Sequence, residues 1–197
     1  MPAKNDDLHG NAPDHAPVVL LLIDVINDFE FPGGAALLRH ALPMAKRLVA
    51  LKQRAKHAGI PTVYVNDNFG KWRSDFRTLT FHCLQDDVRG KPVATLLQPQ
   101  KEDYFVLKPK HSGFFATTLE VLLKYLDAKT LILTGLTTDI CILFTAQDAF
   151  MRDFHLYIPR DCVASHSKAA NKSALAHMET ILGADIQPST TLDLSNL

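Results

Sequence analysis

One cysteine, one aspartate and one lysine stand where their side chains could carry out covalent chemistry. Asp24 follows directly on the apolar run 17–23, and Lys108 follows the apolar run 104–107. Cys141 comes shortly after another apolar run, near the start of a helical pattern. A thiol attacks as a thiolate, and a nearby cation or a helix N-terminus favours that form. We therefore predict Cys141 as a nucleophile, with Lys108 as the cation and Asp24 as the group that accepts and returns the proton.

Short apolar runs alternate with helical patterns along most of the chain, which is typical of a parallel sheet covered by helices on both faces. The apolar runs predict six strands, at 17–23, 61–65, 104–107, 130–133, 156–159 and 184–186. Apolar residues at helical spacing predict four main helices, at about 43–58, 113–126, 139–152 and 170–182. The predicted fold class is α/β, a three-layer αβα sandwich with a mostly parallel, six-stranded, Rossmann-like sheet.

This fold class has a consequence for the three reactive side chains. Ligands of such folds bind beyond the carboxyl ends of the strands, where the strand order reverses. We therefore expect Asp24, Lys108 and Cys141 to meet at one rim of the sheet. Spacing alone leaves simpler explanations open, since a cysteine is often a packing residue, an aspartate at a strand end often caps a loop, and a lysine is usually solvated.

The bulk composition is typical of a single globular domain and disfavours several kinds of partner. Apolar residues make up 47% of the 197 positions, enough for a sizeable single core. Lysine plus arginine equals aspartate plus glutamate at 21 each, with no basic run, so we expect neither a nucleic-acid partner nor a membrane partner. The expected partner is a small-molecule substrate.

The sparse cysteines and the ends of the chain predict compartment and domain limits. Three cysteines are too few, and odd in number, for a secreted disulfide scaffold, and the apolar run 16–23 is too short to span a bilayer. We therefore predict a cytoplasmic protein. Residues 1–16 are predicted as a flexible N-terminal tail, residues 17–190 as a single domain, and residues 191–197 as a C-terminal tail.

Three segments together resemble the isochorismatase-like cysteine hydrolases, a family that includes nicotinamidases, carbamoyl amidases and ureide hydrolases. The segments are 20–29, 106–114 and 134–141, and their order and separations match the family across nearly the whole chain. The resemblance implies a catalytic triad of Asp24, Lys108 and Cys141. It also implies a non-proline cis peptide at Leu136–Thr137 and an oxyanion site made by the N–H groups of Thr137 and Cys141. Such relatives are usually oligomers, so a homodimer or homotetramer is expected.

Departures from the family pattern concern the metal and the substrate. Nicotinamidases bind a metal through an aspartate and histidines after the second strand, but here the loop 66–72 is followed by no histidine before His82. Ile26 replaces a glutamine that many relatives carry shortly after the aspartate. We therefore predict no metal, no other cofactor and no nicotinamide hydrolysis. The side chains predicted to line the substrate pocket are those of Phe29, Trp72, Arg73, Phe114 and Phe115.

These observations favour hydrolysis of a small amide, ureide or similar C–N bond through a thioester on Cys141. Two alternatives stay open. One is hydrolysis of a vinyl ether, as in isochorismatases, with Asp24 as the general acid. The other is a binding protein that keeps the fold without the activity.

Overall fold

A computed structural model describes residues 15–69 and 75–197, and its centre is a parallel β-sheet. The strands are β1 Val18–Ile23, β2 Thr62–Asp67, β3 Tyr104–Lys108, β4 Thr130–Leu136, β5 His155–Tyr157 and β6 Val163–Ala164. Their order in the sheet is β3-β2-β1-β4-β5, and the short β6 pairs with the end of β4. Every ladder is parallel. The predicted α/β class and six-stranded sheet are therefore confirmed.

Helices cover both faces of this sheet. They are α1 Gly34–His57, α2 Phe76–Cys83, α3 Lys91–Leu96, α4 Leu119–Tyr125, α5 Leu143–Phe150 and α6 Lys168–Leu182, with a π-helical turn at Thr138–Ile142 and a 3₁₀ turn at Ser189–Thr191. Successive side chains of β1 point to opposite faces. Leu20 and Leu22 enter the core beneath α1, and Leu21 and Ile23 enter the core beneath α4, α5 and α6. Burial on both faces explains why β1 is apolar throughout.

Helix α1 begins nine residues earlier than the sequence predicted. Apolar residues at helical spacing predict a start at about Pro43, but Pro43 lies inside α1. Leu37 and Ala41 are buried together with Met44 and belong to the same core. Packing of this apolar face outweighs the backbone hydrogen bond that proline cannot make.

The sixth strand was predicted at the wrong place. Residues 184–186 form no strand, and Asp185 makes only an isolated bridge with Tyr157. The sheet is completed instead by β6, whose two residues pair with Gly135 and Leu136. A two-residue strand is too short to show any periodicity, so no pattern in the sequence marks it.

Two predicted helices are shorter in the structure than in the sequence analysis. The helix expected from residue 113 begins at Leu119, because the preceding turns are held by side chains: Thr145 Oγ1 accepts from the Gly113 N–H at 3.0 Å. The helix expected over 139–152 divides into the π-helical turn and α5.

The predicted N-terminal tail, residues 1–16, lies outside the described residues except for His15 and Ala16, and the described ends of the chain pack against the domain. The Ala16 N–H donates to the Leu126 carbonyl at 2.8 Å. Leu192 is buried, its carbonyl accepts from Arg54, and Leu194 lies against the same core. The predicted C-terminal tail over 191–197 therefore packs onto α1. No helix in the described part of the chain is long and apolar enough to cross a membrane.

Candidate active site

The strand order brings the three predicted reactive side chains to one rim. β1 lies between β2 and β4, so the chain reverses its direction of travel across the sheet at this point. Asp24 follows β1, Cys141 follows β4, and Lys108 ends the edge strand β3. The Lys108 side chain reaches across the end of β2 to meet the other two. The strand ends predict this meeting, but the distance that the lysine spans follows only from the strand order.

Lys108 contacts both of its predicted partners. Its Nζ lies 2.8 Å from Asp24 Oδ2 and 3.5 Å from Cys141 Sγ. The lysine side chain is completely buried, and that of Asp24 is 9% exposed. Because an unpaired charge is costly to bury, this ion pair is strongly held. Lys108 is therefore an internal cation of the site and not a solvated surface lysine.

Burial and mutual contact shift the pKa values of all three groups. Burial raises the pKa of Asp24, although Lys108 and a hydrogen bond from the thiol act to lower it. Burial and then the charge of Asp24 raise the pKa of the Cys141 thiol to about 12, with Lys108 opposing them. Burial acts to lower the pKa of Lys108, but the charges of its neighbours outweigh this and raise it. From the sequence, Lys108 is predicted to favour the thiolate of Cys141, whereas the raised pKa of the thiol favours its protonated form.

Residues at the end of β2 hold Asp24 in place. The Asp67 N–H donates to Asp24 Oδ1 at 2.7 Å. Asn66 Nδ2 donates to the Ile26 carbonyl at 2.6 Å, which ties the loop after β1 to β2. Asp24 itself has φ 52°, in the left-handed region that aspartate tolerates better than most residues. These contacts turn the chain sharply away from the sheet and leave the carboxylate at the rim.

Cys141 lies in a π-helical turn and not in a regular α-helix. The Ile142 N–H donates to the Thr137 carbonyl at 3.1 Å, and the Cys141 carbonyl accepts from Thr145 Oγ1 at 2.6 Å. Ser165 Oγ donates to Asp139 Oδ1 at 2.7 Å and ties the turn to the segment after β6. Turns of this kind are frequent at functional sites.

The chain enters this turn through two unusual backbone positions. The Leu136–Thr137 peptide bond is cis, at the position implied by the family resemblance. Gly135 has φ 111°, and a Cβ atom there would lie 2.1 Å from the Ile23 carbonyl oxygen. Glycine is therefore required for β4 to run this close to the end of β1.

A cavity of about 330 Å³ opens beside Cys141. It is lined by Asp24, Asn27, Phe31, Leu37, Asp67, Phe69, His111, Leu136, Thr137, Ile140, Cys141 and His166. A small-molecule site usually combines such apolar walls with a few polar groups. Both residues proposed for the oxyanion site, Thr137 and Cys141, belong to the wall.

The predicted aromatic walls do not belong to this cavity. Phe29 is fully buried in the core beneath α1, and Phe114 is buried in the opposite core beside Phe154. Phe115 is exposed outside the cavity. A phenylalanine close to a catalytic motif in the sequence can pack into the core as readily as it can line a pocket. Closeness in sequence therefore did not place these side chains in the cavity. The remaining two predicted residues, Trp72 and Arg73, lie outside the described residues.

Phe31 and His166 are among the wall residues that the sequence did not predict. Phe31 and His166 approach each other edge to face, with ring centroids 6.3 Å apart. Phe31 alternates with Phe29 after the first motif, which is a weak signal for its position. His166 follows β6, the strand that sequence periodicity did not indicate, so no local pattern could have placed it.

The other cysteines and the question of a metal complete the chemistry of the site. Cys83 and Cys162 are buried, and burial raises the pKa of each thiol to about 12, as expected for packing residues.

Within residues 15–69 and 75–197, no group of three or more histidine, cysteine, aspartate or glutamate side chains is arranged to hold a metal ion. The absence of a metal or other cofactor stays a prediction.

Comparison with known proteins places the chain in a family. A family model described as the Isochorismatase domain matches residues 18–189. The chain belongs to the isochorismatase family. It is 40% identical over 171 residues to YaaI of Bacillus subtilis strain 168, an uncharacterized isochorismatase family protein, covering 87% of this chain and 93% of YaaI.

Two further relatives carry names that describe activities. The ureidoacrylate amidohydrolase RutB of Methylobacterium radiotolerans is 26% identical over 212 residues, covering 93% of this chain and 80% of RutB. The crystal structure of N-carbamoylsarcosine amidase from Thermoplasma acidophilum superposes with a TM-score of 0.69 at 25% identity, covering 89% of this chain and 98% of the amidase. This chain is thus an isochorismatase-family hydrolase, and its arrangement of Asp24, Lys108 and Cys141 is consistent with a cysteine hydrolase triad.

Proposed function

We propose that this protein is a cysteine amidohydrolase that cleaves the C–N bond of a small amide or ureide through a thioester on Cys141. The observation that carries the proposal is the position of the buried Lys108 Nζ, in contact with both Asp24 and the Cys141 sulfur. Covalent hydrolysis by a thiol requires a nucleophile, a base and a cation in contact with one another.

In the first half of the reaction, Asp24 takes the thiol proton while the Cys141 sulfur attacks the carbonyl carbon of the substrate. The pKa shifts support this assignment, because a thiol with a raised pKa needs a base, and the raised pKa of Asp24 makes its carboxylate a stronger one. The N–H groups of Thr137 and Cys141 hold the negative oxygen of the tetrahedral intermediate. Asp24 then gives its proton to the substrate nitrogen, and the C–N bond breaks. The amine or ammonia departs, and the acyl group remains on Cys141 as a thioester.

In the second half, water replaces the amine. Asp24 takes a proton from the water molecule while the water oxygen attacks the thioester carbon. Asp24 then gives this proton to the sulfur as the C–S bond breaks. The products are a carboxylic or carbamic acid and the free thiol. Throughout the cycle Lys108 keeps its charge, orients Asp24 and stabilises negative charge on the sulfur.

The named relatives support the choice of bond. Ureidoacrylate amidohydrolase and N-carbamoylsarcosine amidase act, by their names, on a ureide and a carbamoyl compound. Both classes present a carbonyl carbon bonded to nitrogen, which is the bond that the proposed mechanism cleaves.

The direct test is turnover of a panel of small amides and ureides, measured as released ammonia. We expect Cys141→Ala to lose activity by at least about 10³-fold, since no other group in the mechanism can form the thioester. Cys83→Ala is the matched control, and we expect it to keep activity because that thiol lies in the core. Substantial turnover by Cys141→Ala would refute the mechanism.

One observation favours a second candidate, the hydrolysis of a vinyl ether. Burial raises the pKa of Asp24, which would allow the carboxyl group to act as a general acid toward such a bond. In that case Cys141→Ala would retain activity on a vinyl ether whereas Asp24→Ala would lose it, so the same variants separate the two candidates.

A further inference from the structure

A second carboxylate, Asp67, lies beside the proposed triad without a part in the mechanism above. It ends β2, between the strands that carry Asp24 and Lys108, and it pairs directly with Lys108 in the ladder of β2 and β3. Its side chain is 29% exposed and lines the same cavity as Cys141. A substrate bound at the sulfur is therefore within reach of this carboxylate.

The two oxygens of Asp67 are used differently. Oδ1 accepts from the Phe69 N–H at 2.6 Å, which fixes the orientation of the carboxylate. Oδ2 lies 3.5 Å from Lys108 Nζ, longer than a normal hydrogen bond, whereas Asp24 Oδ2 lies 2.8 Å from the same nitrogen. A carboxylate oxygen can accept two hydrogen bonds. Counting only the contacts made by the described residues, Asp67 Oδ2 can thus accept a further hydrogen bond from a donor in the cavity.

The distances are compatible with a carboxamide bound between the sulfur and the carboxylate. Cys141 Sγ and Asp67 Oδ2 each lie 3.5 Å from Lys108 Nζ, so they are separated by no more than twice that distance. A sulfur about 3.3 Å from the carbonyl carbon, a C–N bond of about 1.3 Å and an N–H···O contact of about 2.9 Å form a bent path that fits this span. The carbonyl oxygen would then face the backbone N–H groups, and the nitrogen would face the carboxylate.

We propose that Asp67 determines the substrate class by accepting a hydrogen bond from the N–H of the leaving group. This inference rests on the proposed amidohydrolase function and narrows it to carboxamides and ureides that carry a free N–H. An ester oxygen has no hydrogen to donate and would meet the carboxylate as a second acceptor. An anionic group in the same place would be repelled.

The test uses three thiol reagents on Cys141, so it needs no known substrate. Iodoacetamide carries an N–H donor, iodoacetate carries a negative charge, and methyl methanethiosulfonate carries neither. Their rate constants are measured on wild type and Asp67→Asn, with the modified residue identified by peptide mass spectrometry. Asp86→Asn is the matched control, because it removes the same charge from a side chain that is 98% exposed.

We expect Asp67→Asn to lower the rate with iodoacetamide about tenfold relative to methyl methanethiosulfonate, the effect of one hydrogen bond to a charged acceptor. The relative rate with iodoacetate should rise. If Asp67 only positions Lys108, the rates with the two neutral reagents, iodoacetamide and methyl methanethiosulfonate, change by one common factor, and that result would overturn the inference. If the Asn variant does not fold, Asp67→Ser keeps an acceptor for the Phe69 N–H and provides the same comparison.

The two proposals can fail separately. If no amide or ureide is hydrolysed but the iodoacetamide preference depends on Asp67, the amidohydrolase function fails and the recognition of N–H groups stands. If amides are hydrolysed and the preference is unchanged in Asp67→Asn, this inference is overturned and the function stands.

Discussion

Replacing Lys108 with methionine tests the electrostatic core of the site. Methionine fills a similar volume, so the substitution removes the charge and leaves packing largely intact. The side chains of Lys108 and Asp24 are 0% and 9% exposed, so the variant leaves a buried carboxylate without its cation. Removal of one partner of a buried ion pair typically costs about 3–5 kcal/mol. We expect a loss of unfolding free energy of this size at pH 8.

The loss should depend on pH in a defined direction. Burial already raises the pKa of Asp24, and without Lys108 the charge that opposes this effect is gone. The folded variant then keeps a proton on Asp24 over a pH range in which the unfolded chain has released it, so stability falls as pH rises through that range. Each pH unit between the unfolded and folded pKa values costs about 1.4 kcal/mol. Lys108→Met should therefore be closer to wild type at pH 5 than at pH 8.

Urea unfolding at the two pH values measures both effects. The double variant Asp24→Asn with Lys108→Met is the control, because it removes the carboxyl group that the single variant leaves unpaired. We expect the double variant to recover much of the lost stability at pH 8 and to lose the added pH dependence. Equal stability of Lys108→Met and wild type at pH 8, or no recovery in the double variant, would refute the reasoning.

Two further predictions concern the backbone and the thiol. Gly135→Ala should destabilise the fold by about 3 kcal/mol or more in urea unfolding, because the new Cβ would lie 2.1 Å from the Ile23 carbonyl oxygen. Gly59→Ala, also at positive φ but with open space around it, should cost only about 1 kcal/mol, and equal losses would contradict the steric argument. Alkylation of Cys141 by iodoacetamide should still accelerate above pH 9, because burial and Asp24 raise the pKa of the thiol to about 12. A rate that levels off by pH 8 would show that the charge of Lys108 outweighs burial and Asp24 and lowers the pKa of the thiol.

Local sequence was sufficient for the parts of this protein that depend on near neighbours in the chain. The run 18–23 is apolar at every position because both faces of β1 are buried, and Asp24 marks its end. The same reasoning found the end of β3 near Lys108 and the start of β4, which runs three residues further than predicted, to Leu136. Family resemblance then added the cis peptide between Leu136 and Thr137.

Packing between distant segments decided what local patterns could not. The start of α1 depends on an apolar face that continues through Pro43, and β6 exists because Gly135 and Leu136 offer it a partner. The cavity wall is drawn from many separate segments, so Phe31 and His166 meet there although 135 positions separate them. Phe29 and Phe114 were predicted to line the pocket because they lie in the segments that resemble the family, but their side chains are buried in the two cores.

The sequence by itself determined which residues could react and which strand ends would carry them, because strands buried on both faces appear in the sequence as continuous apolar runs. Only the tertiary structure decided that Lys108 reaches across β2 to Asp24, that Asp67 stands between them, and that the thiol lies beside a carboxylate. Strand order, side-chain direction and the pKa values that follow from them depend on groups far apart in sequence, so no local pattern encodes them.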